Sequence, residues 1–144
     1  MPLYLCASPN ETIAQDKKQR ISQAITDVHC DVTGAPPEFV HVYFFEAEQM
    51  RNLEPLTGGA SIDDGYLLFG NIRSGRTDQV KLALVSGMRQ KVAELLAVAL
   101  PEVQMLTRDI DAKWVMEGGD LLPEPGEEAA WLEKHKQRIA AEKA

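Results

Sequence analysis

The sequence predicts an α+β fold: a doubled β-α-β unit forming a four-stranded mixed sheet with two helices on one face. Three observations predict it. The order strand, amphipathic helix, strand occurs twice, over about residues 2–47 and again over about 65–108. Each such unit implies a right-handed crossover, and two of them put both helices on the same face of one sheet. The length of 144 residues, 44% of them hydrophobic, is enough for one core and too short for two ordinary domains.

Each element follows from local chemistry. Pro2-Leu3-Tyr4-Leu5-Cys6-Ala7 reads as a buried strand, and Ser8-Pro9-Asn10 as the turn and cap after it. From Glu11 to about Val32, Ile13, Ala14, Ile21, Ala24, Ile25 and Val28 recur at spacings of three and four among Lys17, Lys18, Gln19 and Arg20, which predicts an amphipathic helix. Gly34-Ala35-Pro36-Pro37 stops it, and Phe39 to Phe45 is a β-branched and aromatic strand. A connection from about Glu46 to Asp64, with Gly58-Gly59 and Asp63-Asp64-Gly65, reads as a loop with some local strand. Tyr66 to Ile72 is the third strand, Ser74 to Asp78 the turn and cap, and about Gln79 to Leu100 the second helix. Pro101 ends that helix and Val103-Gln104-Met105-Leu106 opens the fourth strand. A last helix is predicted over about 127–143, with two options open: lying over a neighbour, or fraying. The uncovered sheet face predicts burial against another copy of the chain.

Composition narrows the functions. A net charge of −7 argues against nonspecific binding of nucleic acid or anionic lipid, since both reward a basic face. With no apolar run of 18 residues and no signal peptide, a soluble cytoplasmic protein is the expectation. The two cysteines, Cys6 and Cys30, have neither CxxC spacing nor a zinc-type histidine partner and are expected to be reduced core thiols.

Four features carry possible chemistry. Pro2, if Met1 is removed, presents a secondary amine on a rigid ring anchored by the strand behind it; with Met1 in place the same nitrogen is a tertiary amide without basicity. Arg73 and Arg76 lie three positions apart near a helix start, an arrangement suited to a carboxylate or phosphate, while solvated loop arginines are the plainer reading. His29, at the margin of the first helix's apolar stripe, can donate a hydrogen bond to such an anion or be an ordinary half-buried residue, and His41 and His135 are less distinctive still. Glu117, before Gly118-Gly119, can be a general base with a raised pKa or a turn residue, with Asp109, Asp111 and Asp120 competing for the role.

Together, Pro2, the helix end Ala24 to His29, Arg73-Ser74-Gly75-Arg76, Glu117 with Gly119, and Leu122-Pro123-Glu124-Pro125-Gly126 resemble the tautomerase superfamily, and within it the cis-3-chloroacrylic acid dehalogenase group. The resemblance runs in order from residue 2 to about residue 131. It implies that Pro2 and Glu117 are catalytic, that His29, Arg73 and Arg76 bind a small carboxylate substrate, that the chain forms a homotrimer, and that no metal or organic cofactor is used. Leu106 stands where the group's dehalogenases carry a tyrosine, and leucine can neither donate nor accept a proton. The expected activity is therefore tautomerisation or hydration of small unsaturated or 2-oxo carboxylates, ahead of dedicated haloacrylate dehalogenation; Tyr4 and Tyr43 are the tyrosines that could approach the site instead. The competing class is a non-enzymatic βαββαβ ligand-binding or regulatory module, which has no need of a free Pro2 amine.

Overall fold

The computed structural model describes residues 2–9, 13–47 and 65–144. The connection read as loop with local strand falls, from residue 48 to residue 64, outside the described residues, as do Met1 and Asn10.

Four strands, β1 (Leu3–Pro9), β2 (His41–Ala47), β3 (Tyr66–Arg73) and β4 (Val103–Ile110), form one sheet in the order β2-β1-β3-β4. β1 runs parallel to β2 and antiparallel to β3, and β3 runs parallel to β4. Helix α1 (Gln15–Thr33) links β1 to β2, and α2 (Asp78–Leu96) links β3 to β4, so the doubled β-α-β architecture is present. Tyr4, Cys6, Leu68 and Ile72 from the sheet pack with Ile21 and Ile25 of α1 and Leu84, Met88 and Val92 of α2 in one core. Each fully buried aliphatic side chain there contributes about 1.5–3 kcal/mol of transfer free energy.

Element ends differ from the sequence reading for local reasons. β1 continues through Ser8 and Pro9, which pair with Glu46 and Ala47, so these residues do not cap α1. Its N-cap is Ala14, which makes no side-chain cap bond. Pro37–Phe39 winds into a 3-10 turn, delaying β2 to His41. α2 stops at Leu96 because Ala97 takes a left-handed conformation (φ 58°) and its amide closes back on the Ala93 and Glu94 carbonyls.

The last helix, α3 (Glu128–Lys143), is anchored on its own chain near its start. Trp131 packs against Phe39 at 5.4 Å between ring centres, in a second small core with Ala112, Leu122, Val115 and Leu132. Its indole N–H donates to the Leu121 carbonyl at 2.7 Å. The sheet face opposite α1 and α2 leaves Tyr43 (55%), Phe45 (51%), Leu67 and Leu106 exposed. No described helix is long and apolar enough to cross a membrane.

This topology brings six chain segments to one end of the sheet. Because β1 and β2 start where β3 and β4 finish, Pro2, His41, Arg73 and the segment after Ile110 share that end. α1 delivers its last turns there and α2 its first.

Candidate active site

Alternation along β1 sets the geometry. Pro2, Tyr4 and Cys6 are buried on the helix side of the sheet, while Leu3 and Leu5 take the open side. The Tyr4 ring lies across Gly70 of β3, where an added Cβ would come within 2.8 Å of it, so the absence of a side chain at 70 makes room for the ring. From there the Tyr4 hydroxyl meets His29 Nδ1 at 2.8 Å, inside the core. His29 is buried within the apolar stripe and not at its margin, with 1% of its surface exposed. Burial, then the Arg76 and Arg73 charges, lower its pKa from 6.5 to about 3, so it is neutral at physiological pH. Burial likewise raises the Tyr4 pKa, against a smaller opposing pull from Arg76.

Arg73 is the last residue of β3 and is 2% exposed, so it is no loop arginine. Its Nη1 donates to the Pro123 carbonyl at 2.7 Å and its Nη2 to Glu128 Oε1, while its guanidinium lies over the Phe39 ring. Glu128 Oε2 in turn accepts the Gly126 amide at 2.7 Å. Burial pushes the Glu128 carboxyl up, but these backbone hydrogen bonds and Arg73 outweigh it and hold the pKa below the usual range. Arg76, in the turn before α2, is half-buried; burial and then Arg73 lower its pKa. Among the described residues, three buried nitrogens at this end have no hydrogen-bond partner: His29 Nε2, Arg73 Nε and Arg76 Nε. Unpaired guanidinium and imidazole nitrogens of this kind are groups that an anion can satisfy.

Glu117 enters from the other side of β1. It belongs to a hairpin of β5 (Met116–Glu117) and β6 (Asp120–Leu121), joined by Gly118-Gly119 with φ of 59° and 88°. Positive φ at both turn positions is the type I′ requirement, which glycine meets without strain. α3 braces the turn: Arg138 donates to the Gly118 carbonyl at 2.5 Å and to Asp120 at 3.1 Å, and His135 Nδ1 lies 2.9 Å from Asp120. Glu117 Oε1 lies 2.6 Å from His41 Nε2, in a shallow cleft of about 230 Å³ lined also by Leu3, Tyr43, Val115 and Met116. The His41 amide donates to the Pro2 carbonyl at 3.1 Å, tying this cleft to the start of the chain.

The expected raised pKa of Glu117 is corrected. Burial does push it up, but hydrogen bonds to the carboxyl, that of His41 among them, outweigh that, and the pKa lies below its usual value. Its competitors are engaged elsewhere: Asp109 with Lys81 at 3.2 Å, Asp111 with Lys113 at 3.8 Å, and Asp120 with α3. Cys6 is buried as expected, whereas Cys30 is only half-buried on α1 and is not a core thiol. Sequence reasoning passed over Tyr4 as a neighbour of His29, Glu128 as the partner of Arg73, and His41. The Glu-Gly-Gly-Asp run was a usable hairpin signal for Glu117; nothing local in the sequence marks the other three. Among the described residues, no group of three or more His, Cys, Asp or Glu side chains is gathered to hold a metal.

The chain matches, over residues 1–136, the family described as "Putative oxalocrotonate tautomerase enzyme". Among solved structures it is similar to N1, a member of the cis-3-chloroacrylic acid dehalogenase (cis-CaaD) family, with 30% identity, a TM-score of 0.82, and coverage of 98% of this chain and 97% of that one. A fused 4-OT described as an asymmetric trimer is 25% identical, with a TM-score of 0.68 and coverage of 83% and 95%. The macrophage migration inhibitory factor of Toxoplasma gondii, 16% identical with a TM-score of 0.69 over 84% and 100%, shares the fold. No curated protein matches the sequence. Matched along nearly its whole length by one family, and sharing fold and sequence with a cis-CaaD relative from end to end, the chain belongs to the tautomerase superfamily.

Proposed function

We propose that the protein is a cofactor-independent enzyme that uses Pro2, freed of Met1, to move protons in the tautomerisation or hydration of small unsaturated or 2-oxo carboxylates. The observation that carries this reading is the trio of buried, unpaired donors His29 Nε2, Arg73 Nε and Arg76 Nε at the sheet end where β1 begins. An anion there would meet fixed donors in a site of low dielectric, where each is worth more than in water.

For a 2-hydroxydienoate, neutral Pro2 takes the hydroxyl proton, the O–H electron pair becomes the carbonyl bond, and the displaced π pair takes the proton back on carbon. Nothing is gained or lost overall. The substrate carboxylate offsets part of the arginine field, favouring the protonated amine needed for the second half of the step. For an acetylenic or 3-substituted acrylic acid, protonated Pro2 gives its proton to C2. Glu117 takes a proton from water as the oxygen bonds to C3, and that proton restores Pro2. A 3-haloacrylate treated in this way would give a halohydrin that expels hydrogen halide. A carboxylate held by the His41 N–H supports a base already ionised at neutral pH.

A homotrimer is part of the proposal, supported by the exposed Tyr43, Phe45, Leu67 and Leu106 on the open sheet face. Leu106 sits on that face, in the row Tyr43-Leu5-Phe69-Leu106. The test is a panel of phenylenolpyruvate, 2-hydroxymuconate, cis- and trans-3-haloacrylates and propiolate followed by proton NMR, which separates ketonisation from water addition. Turnover of at least one is expected. Binding without turnover of any, in protein whose mass shows Met1 removed, would favour the ligand-binding alternative.

A further inference from the structure

We infer that His41 is a positioning residue for Glu117: it fixes the carboxylate that directs water, supplying from β2 the polar contact that Leu106 cannot. This rests on the Pro2-dependent reading above. Three observations carry it. The first is the contact itself, 2.6 Å between His41 Nε2 and Glu117 Oε1, with the histidine side chain 40% and the glutamate 27% exposed. A carboxylate only accepts, so Nε2 carries the proton and donates. The second is how His41 is itself held. As the register partner of Leu3 it occupies the first position of β2, and its amide donates to the Pro2 carbonyl at 3.1 Å. One residue thus links the strand carrying the proposed acid–base group to the proposed water-directing group, and a shift of either is transmitted to the other. The third is the hairpin behind Glu117. Its turn is clamped from the far side by Arg138 and, through Asp120, by His135, so the backbone is fixed from α3 and the side chain from β2.

Water addition needs one carboxylate oxygen aimed at the attacking water while the other is held. The His41 contact on Oε1 is one of the bonds that orient the Glu117 carboxylate. Loss of the His41 contact removes a hydrogen bond that orients the Glu117 carboxylate, and misplacement of a catalytic group by about an ångström costs up to about a hundredfold. Ketonisation uses Pro2 and the anion receptor and does not pass through Glu117. The signature of His41 is therefore the ratio of the two activities.

The experiment compares the full-length protein with His41→Ala and His41→Gln, using propiolate for water addition and 2-hydroxymuconate for ketonisation, both by proton NMR. The expected result is a fall in the ratio of water addition to ketonisation of about ten- to a hundredfold in His41→Ala, in kcat more than in KM. Recovery is expected in His41→Gln, whose amide still donates. An unchanged ratio in His41→Ala, or a wild-type protein that ketonises but adds no water, overturns the inference and leaves the Pro2 reading standing. A wild-type protein with neither activity defeats both. Should the variants not fold, long-range ¹⁵N–¹H spectra of the unaltered protein decide: a protonated His41 Nε2 supports the inference, and a bare Nε2 at neutral pH overturns it.

Discussion

Tyr4 Oη and His29 Nδ1 lie 2.8 Å apart inside the core, and burial keeps both groups neutral. The phenol keeps its proton because its pKa is raised, and the imidazole is neutral because its own is lowered to about 3. Where the hydroxyl donates to Nδ1, the ring proton is left on Nε2, the atom without a partner among the described residues. A strand residue two positions after Pro2 would in this way select the tautomer that offers a donor to the proposed anion site.

Tyr4→Phe removes that selection. The expected outcome is a mixed His29 tautomer in ¹⁵N spectra, with KM for a carboxylate substrate rising by about two- to tenfold, the worth of one neutral hydrogen bond of about 0.5–1.5 kcal/mol. A ring still wholly protonated on Nε2 would show that Tyr4 does not select the tautomer.

The two arginines should separate when each is replaced. Arg76, half-buried and, among the described residues, with its Nε unpartnered, should mainly serve capture: Arg76→Ala raises KM by about ten- to a hundredfold, about 1.5–3 kcal/mol for a charged hydrogen bond. Arg73→Ala strands the buried Glu128 carboxylate and should cost about 3–5 kcal/mol of folding stability. Denaturant titration beside steady-state kinetics checks both. Equal effects of the two changes on stability would contradict this division.

How much of this was legible beforehand depends on range. The doubled unit was readable because apolar periodicity is local: Ile21, Ile25 and Val28 announce α1 without reference to anything distant. Pro2, His29, Arg73, Arg76 and Glu117 were legible only as a set in order. Their placement at one sheet end follows from strand direction, which the doubled pattern already implied. The partners were not legible. Glu128 lies 55 positions from Arg73 and Glu117 lies 76 from His41, and no spacing rule reaches so far. His29 looked marginal on a helical wheel because the wheel cannot show Tyr4 arriving from β1 to satisfy its ring.

Acid should destabilise the fold in two stages. The unfolded chain binds a proton on His29 below its ordinary pKa of 6.5, and the folded chain does not until about 3. Stability is therefore full above pH 6.5 and falls below it by about 1.4 kcal/mol per pH unit. Glu117, Glu128 and Asp120, whose folded pKa values are lowered, add losses of the same sign as the pH drops through the carboxylate range. Urea titrations between pH 7 and pH 4 measure the slope. His29→Gln should flatten its upper part and leave the lower part in place; an unaltered upper slope would refute the assignment.

The cysteines offer a check on packing. Burial pushes the Cys6 thiol up to about 12, and Cys6 lies within the main core, whereas Cys30 is half-buried on α1. A thiol reagent should modify Cys30 in the native protein and Cys6 only at the rate of unfolding. Rapid native labelling of Cys6, located by peptide mass, would mean that β1 is not held as described.

The central claim is that a free Pro2 nitrogen carries the proton. It is tested most directly by measuring 2-hydroxymuconate ketonisation by protein beginning at Pro2 and by the same protein retaining Met1, each verified by intact mass. The account predicts turnover in the first and a loss of at least about a hundredfold in the second, the usual worth of a positioned acid–base group. Equal turnover by the two would contradict it.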